Sequence, residues 1–191
     1  MKKKIIDKYK AAAQTGGREY WEAVKELDEL KKNEQKYFKP RYSELLGQAV
    51  MKVSDAESKA KQLIAQAHKE AEQIIKDNYA LNGEQINENT VKLLKSGVVK
   101  TSAEINNLMK NAGSVTMQRI INDYAQENGI ATGGKFISEA DALAELDALD
   151  GMARSGLQRD FYFNDVISNS EQFDNVAGEC FTGQSFIEEK E

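Results

Sequence analysis

At 191 residues the chain has room for one domain with a core, or for a small domain carrying an extended helical arm. Leu, Ile, Val and Phe make up about 22% of it, against 30% charged residues and a single proline, a balance that favours exposed helices over a compact α/β body. One cysteine, Cys180, and one histidine, His68, exclude an intrachain disulfide and a Cys/His zinc cage, so no metal or other cofactor is expected and a reducing, cytoplasmic setting fits.

Taken in chain order, Lys2 to Ala13 reads as a short basic helix with Ile5, Ile6 and Tyr9 on one side, ended by Thr15-Gly16-Gly17. No apolar run of seven or more follows the basic start, so a secretory signal is not expected. A second helix runs from about Arg18 to Tyr37 with Tyr20, Val24, Leu27 and Leu30 in a stripe, and Pro40 stops it because proline lacks an N–H and holds Lys39 extended.

A third helix is expected from near Tyr42 to about Tyr79, closed by Asn82-Gly83. Its apolar positions Leu46, Ala49, Val53, Ala56, Ala60, Leu63 and Ala67 step by three and four, as a coiled-coil seam does. From Ala60 the stripe shifts toward Ile64, Ala67, Ala71 and Ile75, closer to an eleven-residue repeat, which straightens the supercoil or reverses its hand. A helix of nearly forty residues spans roughly 55 Å, and the preceding helix covers only part of it. The distal positions Leu63, Ile64, Ala67, Ala71, Ile74 and Ile75 therefore need another apolar surface, from later helices of the chain or from a second copy, and they are the expected oligomerisation element. The segment SKAKQLIAQAHKEAEQIIKD, Ser58–Asp77, is similar in texture to the stalk helices of rotary ATPases and to bacterial coiled-coil scaffolds. His68 lies within it between residues of its own helix that offer no partner, and reads as a surface histidine.

Residues 84–129 have the outline of a three-helix unit. A short helix covers Asn89 to Lys95, and Thr101 with Glu104 forms a T-x-x-E capping box that starts the next, whose buried face is Ile105, Leu108, Met109 and Ala112. Gly113-Ser114 turns the chain into a third stripe, Val115, Met117, Ile120, Ile121 and Tyr124, ended by Gly129. Three helices in this order suit a helix-turn-helix reader, with Thr116, Gln118, Arg119 and Asn122 as possible DNA contacts. Asp123 and Glu127 oppose Arg119, and a net negative helix sits poorly among phosphates, so a packed helical hairpin is the preferred reading.

Residues 130–191 form an acidic end. IATGGK (130–135) reads as a linker, and Ser138 with Asp141 caps a helix whose stripe is Ala142, Leu146, Leu149, Ala153 and Leu157. Residues 1–120 hold 22 Lys/Arg against 16 Asp/Glu and residues 121–191 hold 4 against 15, which suits partners of opposite charge for the two halves, a head-to-tail meeting of neighbouring copies, or simply two solvated surfaces of different bias. After Leu157 the texture turns irregular and aromatic. Phe161, Tyr162, Phe163, Phe173, Phe181 and Phe186 need a surface to bury against, either the chain's own helices or a partner, and Cys180 among them reads as a buried thiol.

The expected architecture is thus all-α: a helical hairpin with one long coiled-coil-like helix (1–80), a small helical bundle (84–129), and an acidic helix with an irregular aromatic-rich tail (130–191). No phosphate-binding loop, metal cluster or nucleophile with a base stands in the sequence, and no apolar run approaches the length of a membrane span. The expected function is non-enzymatic interaction or assembly, with itself and with another protein as partners. The Lys/Glu/Asn/Gln-rich, proline-poor texture resembles small structural or assembly proteins of bacteriophages, such as scaffolding or minor virion components. That resemblance implies a virion location in place of the cytoplasmic one. Two other classes stand beside it, a DNA-binding regulator dimerised by the coiled coil, and an inhibitor whose acidic C-terminal half mimics nucleic acid.

Overall fold

The computed structural model describes residues 1–133 and 136–180. Among them every regular element is helical: α1 (Lys2–Lys32), α2 (Lys39–Tyr79), α3 (Glu88–Lys95), α4 (Ser102–Lys110), α5 (Val115–Glu127), α6 (Glu139–Ser155), α7 (Asp160–Tyr162) and α8 (Ser170–Glu179). The all-α architecture holds. The described residues pack as two compact units, one made of 3–71 with 146–180 and the other of 1–2 with 72–133 and 136–145. The second half of the acidic helix and the segment after it, as far as residue 180, pack with the N-terminal hairpin.

In the first unit α1 and α2 form an antiparallel hairpin. Pro40 sits in the first turn of α2, where its missing N–H costs nothing, so the helix starts at Lys39. Salt bridges between the helices give the register: Glu26 with Lys52 (2.5 Å), Glu19 with Lys59 (2.6 Å) and Lys8 with Glu70. The first step is seven residues on each helix and the second eleven, which matches the change of repeat in the sequence near Ala60.

The expected break at Thr15-Gly16-Gly17 does not occur, and α1 runs through it. Glycine is needed there for close approach. A Cβ on Gly16 would lie 2.7 Å from Ala60 Cα, and one on Gly17 would overlap the Phe163 ring. The gain in packing outweighs the roughly 1 kcal/mol per glycine that helix propensity costs. The base of the hairpin is closed by α6 and by residues 160–179 of the segment expected to be irregular, which form α7, a π turn over Phe163–Ile167 and α8. The Ser168 N–H bonds the Phe163 carbonyl (2.8 Å), and this wider turn seats Phe163 and Ile167 both in the core. Ile5, Tyr9, Ile64, Leu146, Leu149 and Phe173 are fully buried there, each worth about 1.5–3 kcal/mol of burial. The Trp21 indole N–H donates to the Gly156 carbonyl (2.8 Å), and the Gln14 amide to that of Ile167 (3.0 Å).

The second unit is organised by the α4–α5 pair. The Thr101/Glu104 capping box is complete, with Glu104 N–H donating to Thr101 Oγ1 (3.3 Å) and Thr101 N–H to the Glu104 carboxylate (3.0 Å). Gly113 and Gly129, at φ +69 and +65, supply the left-handed geometry on either side of α5. Leu94, Val99, Ile105, Met109, Met117, Ile121 and Ala125 form the core.

Candidate functional site

The two ends of the α1–α2 hairpin differ. At its base a polar clasp joins three helices. The Tyr9 hydroxyl of α1 shares a 2.7 Å hydrogen bond with His68 Nδ1 of α2, and the ring lies 3.9 Å from both Asp147 and Asp150 of α6. Asp150 also accepts from Arg154 Nε (2.5 Å), while its Oδ1 is buried without a hydrogen-bond partner among the described residues. Burial pushes the Tyr9 phenol well above its ordinary range, Asp150 raises it further, Arg154 offsets part of this, and Asp147 adds to the rise. The phenol therefore stays protonated and acts as a hydrogen-bonding tie with no accessible surface of its own. His68 is no lone surface histidine: its partner lies 59 residues away in sequence, where local spacing gives no signal.

Beyond the base the hairpin continues as a two-helix arm. From Val24 to Lys59 no residue is buried. The seam side chains Val24, Leu27, Leu46, Ala49, Val53 and Ala56 are only half-buried, because two helices alone cannot enclose them. Val50 is 50% exposed, Met51 67% and Phe38, at the tip, 80%. Tyr37 stacks on Tyr42 across the turn, with ring centroids 6.4 Å apart and planes 29° apart. Leu30, Tyr37, Leu45 and Ala49 line a cleft of about 440 Å³ rimmed by Glu26, Glu29, Gln48 and Lys52. Cations crowd the tip: Lys31, Lys32, Lys36, Lys39 and Arg41 against Glu34.

The sequence-expected site residues fall out as follows. Ile64, Ala67, Ala71 and Ile75 of the expected oligomerisation seam are buried within the chain, and Leu63 and Ile74 are half-buried. The surface that positions 63–71 required is supplied by the chain itself, so the seam is not a free face. Of the possible DNA contacts, Thr116, Gln118 and Asn122 are buried and only Arg119 is exposed. The first turn of α5 is occupied in holding the preceding loop: Thr116 Oγ1 accepts from the Asn82 N–H (3.4 Å), Ser114 Oγ donates to the Gln85 carbonyl (3.3 Å), and Met117 Sδ accepts from the Asn87 N–H (3.3 Å). Three of the four possible contacts are thus turned into the unit, and the exposed positions of α5 set Asp123 and Glu127 beside Arg119.

Of the aromatics, Phe163 and Phe173 are buried in the base, Tyr162 is half-buried and Phe161 is exposed, while Phe181 and Phe186 lie outside the described residues. Cys180 is half-buried, its thiol 3.7 Å from the Val176 carbonyl. Among the described residues no helix is long and apolar enough to cross a membrane, and no group of three His, Cys, Asp or Glu is placed to hold a metal ion. In comparisons with known proteins, no family model, curated sequence or solved structure matches the chain.

Proposed function

We propose that the chain is a non-enzymatic helical interaction and assembly protein, and that its docking element is the two-helix arm of residues 24–59. The observation that supports this reading is the arm itself: 36 consecutive residues without one buried side chain, carrying Phe38, Val50 and Met51 into solvent. Holding an apolar-edged hairpin in water costs free energy that a docked partner returns. The arm takes over the role that the sequence assigned to Leu63–Ile75. The finer reading, a bacteriophage structural or morphogenesis component, rests on the resemblance in sequence texture alone.

The test is solution mass by light scattering across a concentration range, on the full chain and on a chain shortened by one heptad in each arm helix (residues 25–31 and 46–52 removed). The expected result is an oligomer that the shortened chain loses while its helical circular dichroism per residue is kept. An oligomer that survives the shortening would sink the arm as the docking element.

A further inference from the structure

The exposed face of the arm repeats the face that is covered at the base. Eighteen residues make five complete turns of an α-helix, so positions eighteen apart point the same way. On α2, Leu46, Val50 and Val53 stand eighteen residues before Ile64, His68 and Ala71. Ile64 and Ala71 are fully buried, and His68 faces Asp147 and Asp150 of α6. On α1, Val24 and Leu27 stand eighteen residues after Ile6 and Tyr9, both buried. The hairpin thus carries one apolar strip along both helices, which α6 and the helices after it cover at one end only. In the arm the same strip is open, with Val50 half exposed.

We infer that the open strip is covered by the arm of a second copy of this chain, two hairpins meeting face to face as a four-helix bundle. This rests on the assembly reading above and names its partner. Two features favour a copy over an unrelated protein. First, residues 24–59 hold 8 Lys/Arg against 7 Asp/Glu, so identical arms approach without net repulsion although the first 120 residues are basic as a whole. Secondly, the area suffices. With 21 residues of α2 from Lys39 to Lys59, the arm is about 30 Å long and two helices, about 20 Å, wide. That offers roughly 600 Å² per copy and roughly 1,200 Å² in all, the lower bound of stable specific interfaces. Such pairing is isologous: the same patch serves on both copies, and the assembly closes at two.

The face is specific enough to be tested one residue at a time. Val50 points along the strip, whereas Met51, one position on and 100° round the helix, points away from it and is the more exposed. In sedimentation and light scattering on the full chain, Val50→Lys is expected to convert dimer to monomer over at least a tenfold range of concentration. Met51→Lys is expected to leave the mass unchanged, and both variants to keep the wild-type helical signal. Val50→Leu, which fills the strip, should hold the dimer to lower concentration. A wild-type chain monomeric at its highest soluble concentration overturns the inference. So does a dimer that Val50→Lys leaves intact, or one that Met51→Lys breaks instead. If the dimer resists Val50→Lys but the shortened arm abolishes it, this face is wrong while the arm reading stands. If it survives both, the arm reading falls as well. A dimer lost only when residues 181–191 are removed would place that segment in the interface and overturn the arm-to-arm pairing.

Discussion

Residues 60–71 and 46–56 of α2 carry the same mixture of alanine and larger aliphatic side chains, and both face α1, yet the first stretch is buried and the second is not. At the base Ala60, Ala67 and Ala71 are enclosed, whereas in the arm Ala49 and Ala56 stay half-buried. The difference lies in the third layer. An alanine seam lets two helices approach closely but buries little area per turn, so it becomes a core only where α6, the π turn and α8 lie over it. Close packing in one place and an open hairpin in another can follow from one sequence pattern.

The largest test of this contrast removes the third layer's anchor. Phe173 of α8 is fully buried in the base, and Phe173→Ala is expected to cost about 3–5 kcal/mol. Val53→Ala in the arm removes a half-buried side chain and should cost less than about 1 kcal/mol in the unassembled chain. Denaturant melts of the two variants, compared with wild type at equal helical content, read the difference. Equal losses would mean that the arm is as well packed as the base.

Glycines sharpen the same comparison with opposite signs. Gly17 in the base faces the Phe163 ring, and a methyl group there has nowhere to go; Gly17→Ala is expected to destabilise by about 1–3 kcal/mol through overpacking. Gly47 lies in the arm part of α2, and a Cβ built on it meets nothing within 4 Å. Gly47→Ala is therefore expected to stabilise by up to about 1 kcal/mol, the ordinary gain of alanine over glycine in a helix interior. Thermal melts of the two variants should move apart, Gly17→Ala downward and Gly47→Ala upward. A fall for Gly47→Ala would show that position 47 is covered in solution.

Much of this was legible in the sequence where the cause is local. The capping boxes at Thr101/Glu104 and Ser138/Asp141, the turn glycines Gly113 and Gly129, and the change of repeat near Ala60 are each set by residues within a turn or two, and each is found in the structure. What was misread depends on distant partners. Gly16-Gly17 has the composition of a helix end, but Ala60 and Phe163, far along the chain, turn it into a contact point. Thr116, Gln118 and Asn122 have the chemistry of base readers, yet their burial agrees with the packed hairpin that was the preferred reading there. The stripe is interrupted at Phe163–Ile167 by a π turn, whose period differs from 3.6, before α8 resumes with Phe173 buried. The arm went unrecognised for the converse reason: its seam looks like any coiled-coil seam, and only the ending of the third layer sets it apart.

The smallest effect concerns charge along the hairpin. The ammonium of Lys8 bonded to Glu70 holds that carboxyl below its ordinary value of 4.5, with the Gln66 amide adding to the effect. A carboxyl whose folded value is depressed contributes stability that is fully present above its unfolded value and is lost as pH falls through the folded one. The Lys8–Glu70 contribution should therefore persist from neutral pH down to about 4.5 and fade below it. Both side chains stay partly open to solvent, 33% and 43% exposed, so the effect is small and salt-sensitive. Glu70→Gln should lower the melting temperature slightly at pH 7, and the gap to wild type should narrow as the pH falls below 4.5 and the carboxyl takes up its proton. A gap that stays constant across that range would mean that Glu70 acts through packing and not through its charge, leaving the eleven-residue step of the base register to be held by Tyr9 and His68 instead.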